Sequence, residues 1–422
     1  MPARADISSP HPAVSQERPL HVLALDEEIP YPLNAGKRIR TWNLLRHLAG
    51  RHRITFLCYG SEDQAGFAEM SHLGIRVIVV PGLPPAGSTA FYAGALANLA
   101  SPWPYSVARH HTARYAQTLE RLVAAESFDL LHCEWTPYAS YCRHAPRLPA
   151  LLMAHNIETT VWRRRTEHAG NAPERLYMGL QAAKMKRFEK RAFRRAARVA
   201  VVTAKEAATA RDWGARAVSL IANGVDTDAL CPRDERPEPD SVLFMGSLDW
   251  QPNRDALLYL VDHIWPLVRA ANPAATLNVV GRQPAPRLRE RVESVPGVQW
   301  VGEVPDIRPW VARANMLLVP LRIGGGSRIK ILETLAMGKA VVTTSIGAEG
   351  LSVTDGRDCR IADEPSAFAQ TVVELLRQPA VCQALGESGR RLVVSHYDWR
   401  QLAAELGRAW SETARAVHSS AH

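Results

Sequence analysis

The segment Met316 to Thr344 constrains the fold more than any other part of the chain. Four apolar residues, Met316 to Val319, stop at Pro320, and three glycines, Gly324, Gly325 and Gly326, strip side chains from the turn that follows. Ser327 stands where it can cap a helix whose early residues include Arg328, Lys330 and Glu333. Gly338 ends that helix, and Ala340 to Thr344 reads as the next strand. A strand, a glycine turn, a helix and a second strand make one βαβ unit, and its turn is a seat for an anion. Glycines let backbone N–H groups approach a phosphate, the helix N-terminus carries partial positive charge, and Arg328 and Lys330 add full charges. Glu333, deeper in the helix, offers an acceptor suited to a diol such as a ribose.

The same alternation runs through the chain. His21 to Leu25 reads as a buried strand, and Gly36 opens a helix with apolar residues at Ile39, Trp42, Leu45 and Leu48, closed by Gly50. Ile54 to Cys58 gives a second strand, followed by strand-like runs at Ile75 to Val80, Leu130 to Cys133, Leu151 to Ala154, Val199 to Thr203 and Val218 to Ile221. Residues Pro232 to Asp240, PRDERPEPD, suit neither a helix nor a strand interior and read as a linker. Beyond it come strands at Val242 to Met245, Thr276 to Val280, Val298 to Val301, Met316 to Val319 and Ala340 to Thr344, with a helix predicted over Asn253 to Ala271. Gly246, Gly281 and Gly302 end the first three, which leaves open loops at strand C-termini. Alternation of this kind implies parallel sheets covered on both faces. The expected architecture is α/β: a tail over residues 1–18, one doubly wound domain over 19–232, a second over 233–396, and a last helix over 397–416.

With 422 residues, 46% of them hydrophobic, the chain can bury two cores of ordinary size. No apolar stretch reaches the roughly 18 residues that span a bilayer, and the first 18 residues lack the apolar core of a signal peptide, so a cytoplasmic location is expected. Six scattered cysteines with no CxxC pair argue against a disulfide framework and a zinc site, and read as buried small apolar residues. The net charge of +9 suits nucleic acid, anionic lipid or phosphorylated substrates alike. Its densest runs are Arg163 to Arg165 and Lys184 to Arg195, where Phe188 and Phe193 are interleaved with cations. That pattern fits either a solvated helix face or contact with a membrane surface.

Five blocks in order carry a family resemblance: PYPLNAGKRIRTWNLLRHLA (Pro30 to Ala49), HNIE (His155 to Glu158), NGVDTDAL (Asn223 to Leu230), FMGSLDWQPNRDAL (Phe244 to Leu257) and GGGSRIKILETLAMGKAVVTT (Gly324 to Thr344). On these the chain resembles a family 4 glycosyltransferase of the group 1 type. The resemblance implies the GT-B fold, two Rossmann-like domains facing across a cleft. It implies a retaining, metal-independent hexosyltransferase with no cofactor beyond a uridine- or guanosine-diphosphate sugar, which donates to a hydroxyl of a glycan or lipid-linked acceptor. Its expected setting is cell-surface polysaccharide or glycoconjugate assembly, at the inner face of the cell membrane if the basic segments touch it, with no nucleic acid partner.

By the same resemblance the ribose-binding glutamate is Glu333. The family's second glutamate, eight residues earlier, is replaced here by Gly325, and the arginine of the loop after the first strand of domain two by Ser247. Charge neutralisation then falls to Arg328 and Lys330, with Arg282 and Arg254 in reserve, aided by Gly325, Gly326, Ser327, Gly246 and Gly36. His155 matches the family position where a histidine meets the sugar or its reaction centre. Glu134, Trp135, Glu158 and Asn156 are acceptor-side candidates, although core packing suits Trp135 as well. Asn223 to Asp226 reads as a structural turn near the hinge, and Trp399 as an anchor for the last helix. A non-catalytic nucleotide- or sugar-binding member and a nucleotide-sugar epimerase are the alternatives on this fold. A nicotinamide or flavin oxidoreductase is disfavoured, because no strand is followed by GxGxxG with an acid about 20 residues on.

Overall fold

The computed structural model describes residues 18–83, 88–167, 170–248, 250–282, 286–323 and 328–416. Seven short apolar runs form one parallel sheet: β1 (His21–Leu25), β2 (Arg53–Tyr59), β3 (Arg76–Val80), β4 (Leu130–Cys133), β5 (Ala150–Ala154), β6 (Arg198–Val201) and β7 (Val218–Leu220), in the order β3-β2-β1-β4-β5-β6-β7. A second parallel sheet holds β8 (Ser241–Met245), β9 (Thr276–Val280), β10 (Val298–Gly302), β11 (Met316–Val319), β12 (Ala340–Thr343) and β13 (Arg360–Ile361), in the order β10-β9-β8-β11-β12-β13. The central strands are buried end to end, which is why they read as continuous apolar runs and not as alternating ones.

Both sheets reverse their winding at one place, between β1 and β4 in the first and between β8 and β11 in the second. Loops leave such a point in opposite directions and open a crevice at the strand C-termini. The two crevices belong to one cleft. Lys205 of the first half meets Glu349 of the second at 3.1 Å, and a Cβ on Gly350 would lie 3.1 Å from Thr203.

The last helix, Trp399–Arg415, follows the second sheet in sequence but packs with the first. Trp399, Leu402, Leu406 and Trp410 are buried in one cluster with Val22, Leu45 and Leu48. Burial of each leucine is worth roughly 1.5–3 kcal/mol, enough to hold the crossover in place. Gly224 makes the seam possible by close approach: a Cβ there would fall 2.5 Å from Leu402 Cδ1, 2.7 Å from Trp399 and 2.8 Å from the carbonyl oxygen of Tyr397. Backbone bonds from Val225 to Tyr397 and from Trp399 to Val225 close it.

Some predicted elements differ. The helix expected over Asn253 to Ala271 runs as Gln251–Tyr259, a π-helical turn at Leu260–Ile264, and Trp265–Ala271. Pro266 has no N–H to give and its ring displaces the preceding turn, so the helix widens and Trp265 donates to the Leu260 carbonyl. The strand expected to reach Thr203 ends at Val201, and Thr203 caps a helix in a capping box with Glu206. Likewise Thr344 caps a short helix, Ser345–Ala348, where a strand residue was expected. Cys231 is exposed, contrary to the expectation of buried cysteines. Phe188 and Phe193 face the core beside Trp213 and Ala192, so they are not part of the basic face.

Candidate active site

On the first sheet, the loops after β1, β4 and β5 meet at the crevice. The loop after β4 brings Glu134, whose carboxylate is fully buried and receives two hydrogen bonds, one from Thr41 Oγ1 at 2.7 Å and one from His132 Nε2 at 2.5 Å. Trp410, on the crossover helix, donates its indole N–H to His132 Nδ1 at 3.0 Å. An N–H arriving at Nδ1 needs a lone pair there, so the imidazole proton sits on Nε2 and points at Glu134. His155, at the end of β5, stands with Nε2 3.4 Å from Glu134 Oε1 and makes no hydrogen bond there. Burial alone would raise the Glu134 carboxyl, but the two histidines outweigh it and hold it well below the usual carboxylate range. Burial lowers the His155 imidazole, partly offset by Glu134, so the ring is neutral near pH 7.

Acids crowd the loop after β1. Lys37 donates to Asp26 Oδ1 and, at 2.8 Å, to Glu27 Oε1, and Arg38 Nε donates to Glu28 at 2.8 Å. The two cations flanking Gly36 are therefore satisfied inside their own loop. Gly36 itself is the exposed first residue of the helix Gly36–Leu48. Burial pushes the Asp26 carboxyl up to about 7, against the pull of Lys37, and its Oδ2 is buried with no hydrogen bond. Trp135 forms a wall beside it, with Lys37 5.5 Å from its ring centroid and the His110 ring at 5.1 Å. Its indole N–H is fixed by Glu158 Oε1 at 2.8 Å. Glu158 opens the helix Glu158–Glu167, whose first backbone N–H groups are held by Glu189 Oε1 and Oε2 at 2.7 and 2.8 Å. Asn156 is exposed at the rim.

Across the cleft, the helix Ile329–Ala336 sends Lys330 to the end of β8. Its Nζ donates to the Met245 carbonyl at 3.0 Å and to Asn253 Oδ1 at 2.7 Å, while Asn253 Nδ2 donates to the Ser247 carbonyl at 2.8 Å. Gly246 makes room for this cluster, since a Cβ there would meet Asn253 Nδ2 at 2.7 Å and Lys330 Nζ at 3.0 Å. Burial pushes the Lys330 amine down to about 7. Two of its three ammonium protons are used in these bonds, which leaves the third for a ligand anion. Arg282, at the end of β9, donates from Nε to Ser247 Oγ at 2.7 Å. It thus brings a guanidinium to the loop position that Ser247 leaves uncharged.

Glu333 lies one turn beyond Lys330, partly buried; burial pushes its carboxyl up and Lys330 opposes that. Arg328 corrects its expected place: it is the residue before the helix, not part of it, and Nη2 donates to the Ile346 carbonyl at 2.7 Å. Burial lowers its guanidinium, and Arg164 of the opposite half is near enough to add to that effect. Gly325, Gly326 and Ser327 lie outside the described residues.

The structure thus gathers His155, Glu134, Trp135 and Glu158 on one wall, and Gly246, Arg282, Lys330 and Glu333 on the other. Sequence reasoning missed Asn253, which orients Lys330, along with His132, Thr41 and Trp410 around Glu134, and Asp26 and Glu27 beside Lys37. Asn253 sits in one of the quoted blocks but offers no charge to draw attention. Trp410 lies 278 residues from His132, and no local pattern joins them. Among the described residues, no group of three His, Cys, Asp or Glu is placed to hold a metal ion.

Residues 36–229 match the family described as Glycosyltransferase Family 4, and residues 239–378 match that described as Glycosyl transferases group 1. Over 224 residues the chain is 25% identical to a GDP-mannose-dependent alpha-(1-6)-phosphatidylinositol monomannoside mannosyltransferase of Mycolicibacterium smegmatis, covering 46% of this chain and 56% of that one. Over 116 residues it is 27% identical to LpcC, a lipopolysaccharide core biosynthesis mannosyltransferase of Rhizobium leguminosarum, covering 27% of this chain and 33% of that one. The chain spans between a third and just over half of the length of the curated relatives it matches. Among solved structures, HepE of Anabaena in complex with UDP and glucose superposes with a TM-score of 0.62 at 16% identity, over 92% of this chain and 99% of that one. With one profile on each side of the linker and two Rossmann-like sheets facing across a cleft, the chain belongs to the family 4 glycosyltransferases, group 1 type, of the GT-B fold.

Proposed function

We propose that the protein is a retaining, metal-independent glycosyltransferase that moves a sugar from a uridine- or guanosine-diphosphate sugar to an acceptor hydroxyl. The observation that carries this reading is the pairing of a half-buried cation cluster at the ends of β8 and β9 with a buried acid–imidazole cluster on the opposite wall of one cleft. Lys330, held at the end of β8 by Asn253, and Arg282, tied to Ser247, supply positive charge where a diphosphate would lie. Glu333 takes the ribose hydroxyls. As the bond from the anomeric carbon to the phosphate oxygen breaks, these cations and the nearby helix N-terminus stabilise the departing diphosphate, the role a metal ion would otherwise fill. The acceptor hydroxyl attacks from the same face. Neutral His155, in the field of the Glu134 carboxylate 3.4 Å away, positions the sugar or assists the transfer of that hydroxyl's proton.

Two relatives are named as mannosyltransferases, one of them GDP-mannose-dependent, and HepE was solved with UDP and with UDP-glucose, which supports a nucleotide-sugar donor while leaving both bases in play. The relatives' names, lipopolysaccharide core biosynthesis among them, also favour a role in cell-surface glycoconjugate assembly, and a cytoplasmic location is part of the same proposal. A panel of uridine- and guanosine-diphosphate sugars, assayed for nucleoside diphosphate release with and without chelator, tests the reading. Turnover of at least one donor, unaffected by chelator and with the product anomer matching the donor's, is expected. A folded protein that releases nucleoside diphosphate from none of them contradicts it.

A further inference from the structure

We propose that the first half of the protein docks on the surface of an anionic bilayer through the helix Thr89–Ala97 and one face of the helix Ala172–Arg195. The observation is a concentration of exposed apolar side chains. The helix Thr89–Ala97, sequence TAFYAGALA, contains no buried residue. Tyr92 is 64% exposed, Leu96 70%, and Leu99, in the turn that follows, 46%. On the neighbouring helix, Leu176 is 78% exposed and Leu180 38%. Of its large side chains only Phe91 rests on its own protein, half-buried against Tyr105 with ring centroids 5.3 Å apart, and a helix this apolar that leaves Tyr92 and Leu96 in solvent is out of place in water.

The two elements form one surface. Gln181 donates to Asn98 Oδ1 at 3.1 Å and accepts from the Tyr105 backbone N–H at 2.8 Å, and Lys184 Nζ donates to the carbonyls of Asn98 and Leu99 at 2.8 and 3.3 Å. These bonds pin the turn after the apolar helix beside Leu180, one turn away along the longer helix.

Charge selects the occupant. Between Arg163 and Arg195 there are eleven Lys and Arg residues against three Glu. On the outer face of the longer helix, Leu176, Leu180, Ala183, Arg187 and Arg191 recur at intervals of three and four, all exposed. The face is apolar for its first turns and basic for the next. That is the profile of a helix that sets leucines at the acyl boundary and arginines among anionic headgroups. A second copy of the chain would bring the same basic stripe against itself. Among the described residues no helix is long and apolar enough to cross a membrane, so the surface is one for lying on a bilayer.

The placement bears on function. The helix Glu158–Glu167 packs on the helix Ala172–Arg195, starts three residues after His155 and carries Arg164, whose charge is felt by Arg328 of the other half. The docking surface therefore borders the cleft mouth, and the acceptor class it favours is a lipid-borne hydroxyl delivered from the bilayer. That corollary rests on the glycosyl-transfer reading, whereas the docking does not.

Co-sedimentation of the full chain with phosphatidylcholine vesicles, with and without a fraction of phosphatidylglycerol, tests it. Wild type should bind the anionic vesicles, less so as salt rises. The double variant Leu96→Glu/Leu176→Glu should lose about tenfold or more of that binding, with its melting temperature and nucleoside diphosphate affinity unchanged. Arg187→Glu/Arg191→Glu should weaken binding to anionic vesicles alone. Equal sedimentation of wild type and the leucine double variant overturns the proposal. So does a wild-type dimer in solution that the leucine substitutions convert to monomer while no vesicle binding is seen. Vesicle binding in a protein that turns over no donor would keep the docking and remove only the corollary.

Discussion

Lys330 shows how a single side chain can be tuned by its surroundings. Its amine is buried at the end of β8 and pushed down to about 7, so the free protein holds it charged only part of the time near neutrality. A diphosphate binds the charged form. Affinity for nucleoside diphosphate should therefore be greatest below pH 7 and fall as pH rises through 7 towards 9, by up to about tenfold per unit. Calorimetric titration with UDP and GDP across that range measures it. Lys330→Met should abolish the slope and weaken binding by about 10- to 100-fold, the worth of a charge-assisted hydrogen bond. Glu333→Ala should weaken binding by a similar factor, but with the slope intact. On the other wall, Glu134→Gln removes the charge that faces His155, and kcat should drop by about a hundredfold or more with little change in donor affinity. His155, Glu333 and Lys330 were legible in the sequence because they stand in recognisable blocks. His132 and Thr41 were not, because their role comes from converging on Glu134 across strands. Arg328 was legible as a residue but not in its placement, since it precedes the helix and bonds the Ile346 carbonyl.

At the scale of elements, the crossover helix Trp399–Arg415 is both a structural tie and the far end of a polar chain into the site. Trp410→Phe keeps the apolar contact but removes the N–H that fixes the His132 tautomer. We expect little loss of stability, and a change in the imidazole nitrogen shifts of His132 in long-range nitrogen–proton spectra of histidine-labelled protein. Unchanged shifts would mean the hydrogen bond does not set the tautomer. Gly224→Ala is a different case, because its Cβ would meet a backbone oxygen as well as Leu402 and Trp399. It should cost about 1–3 kcal/mol, read as a lower melting temperature. The glycine was visible as part of NGVD, but its reason was not: the constraint is a helix that arrives from more than 170 residues away. Twelve of the strands were legible to within about two residues, since the central ones are buried apolar runs between turn signals, whereas β13 (Arg360–Ile361) was not, being two residues long, half-buried and half charged. The π-helical turn at Leu260–Ile264 was not, although Pro266 could have raised it.

At the scale of the whole molecule, two sheets with the same winding place their switch points on one cleft, and each contributes what the other lacks. Among the described residues, the second half has cations and the carboxylate of Glu333 but no imidazole at its strand ends, while the first has His155 and a wall of carboxylates whose neighbouring cations are already paired. On the proposed function, a donor held by one half meets its reaction partner on the other. The most direct test measures nucleoside diphosphate release from the sugar nucleotide that the panel identifies, using wild type and His155→Ala at donor concentrations matched to each protein's measured affinity. Retained donor binding with release reduced about a hundredfold or more is the result expected of a site assembled from both halves. Release by His155→Ala at the wild-type rate would contradict it.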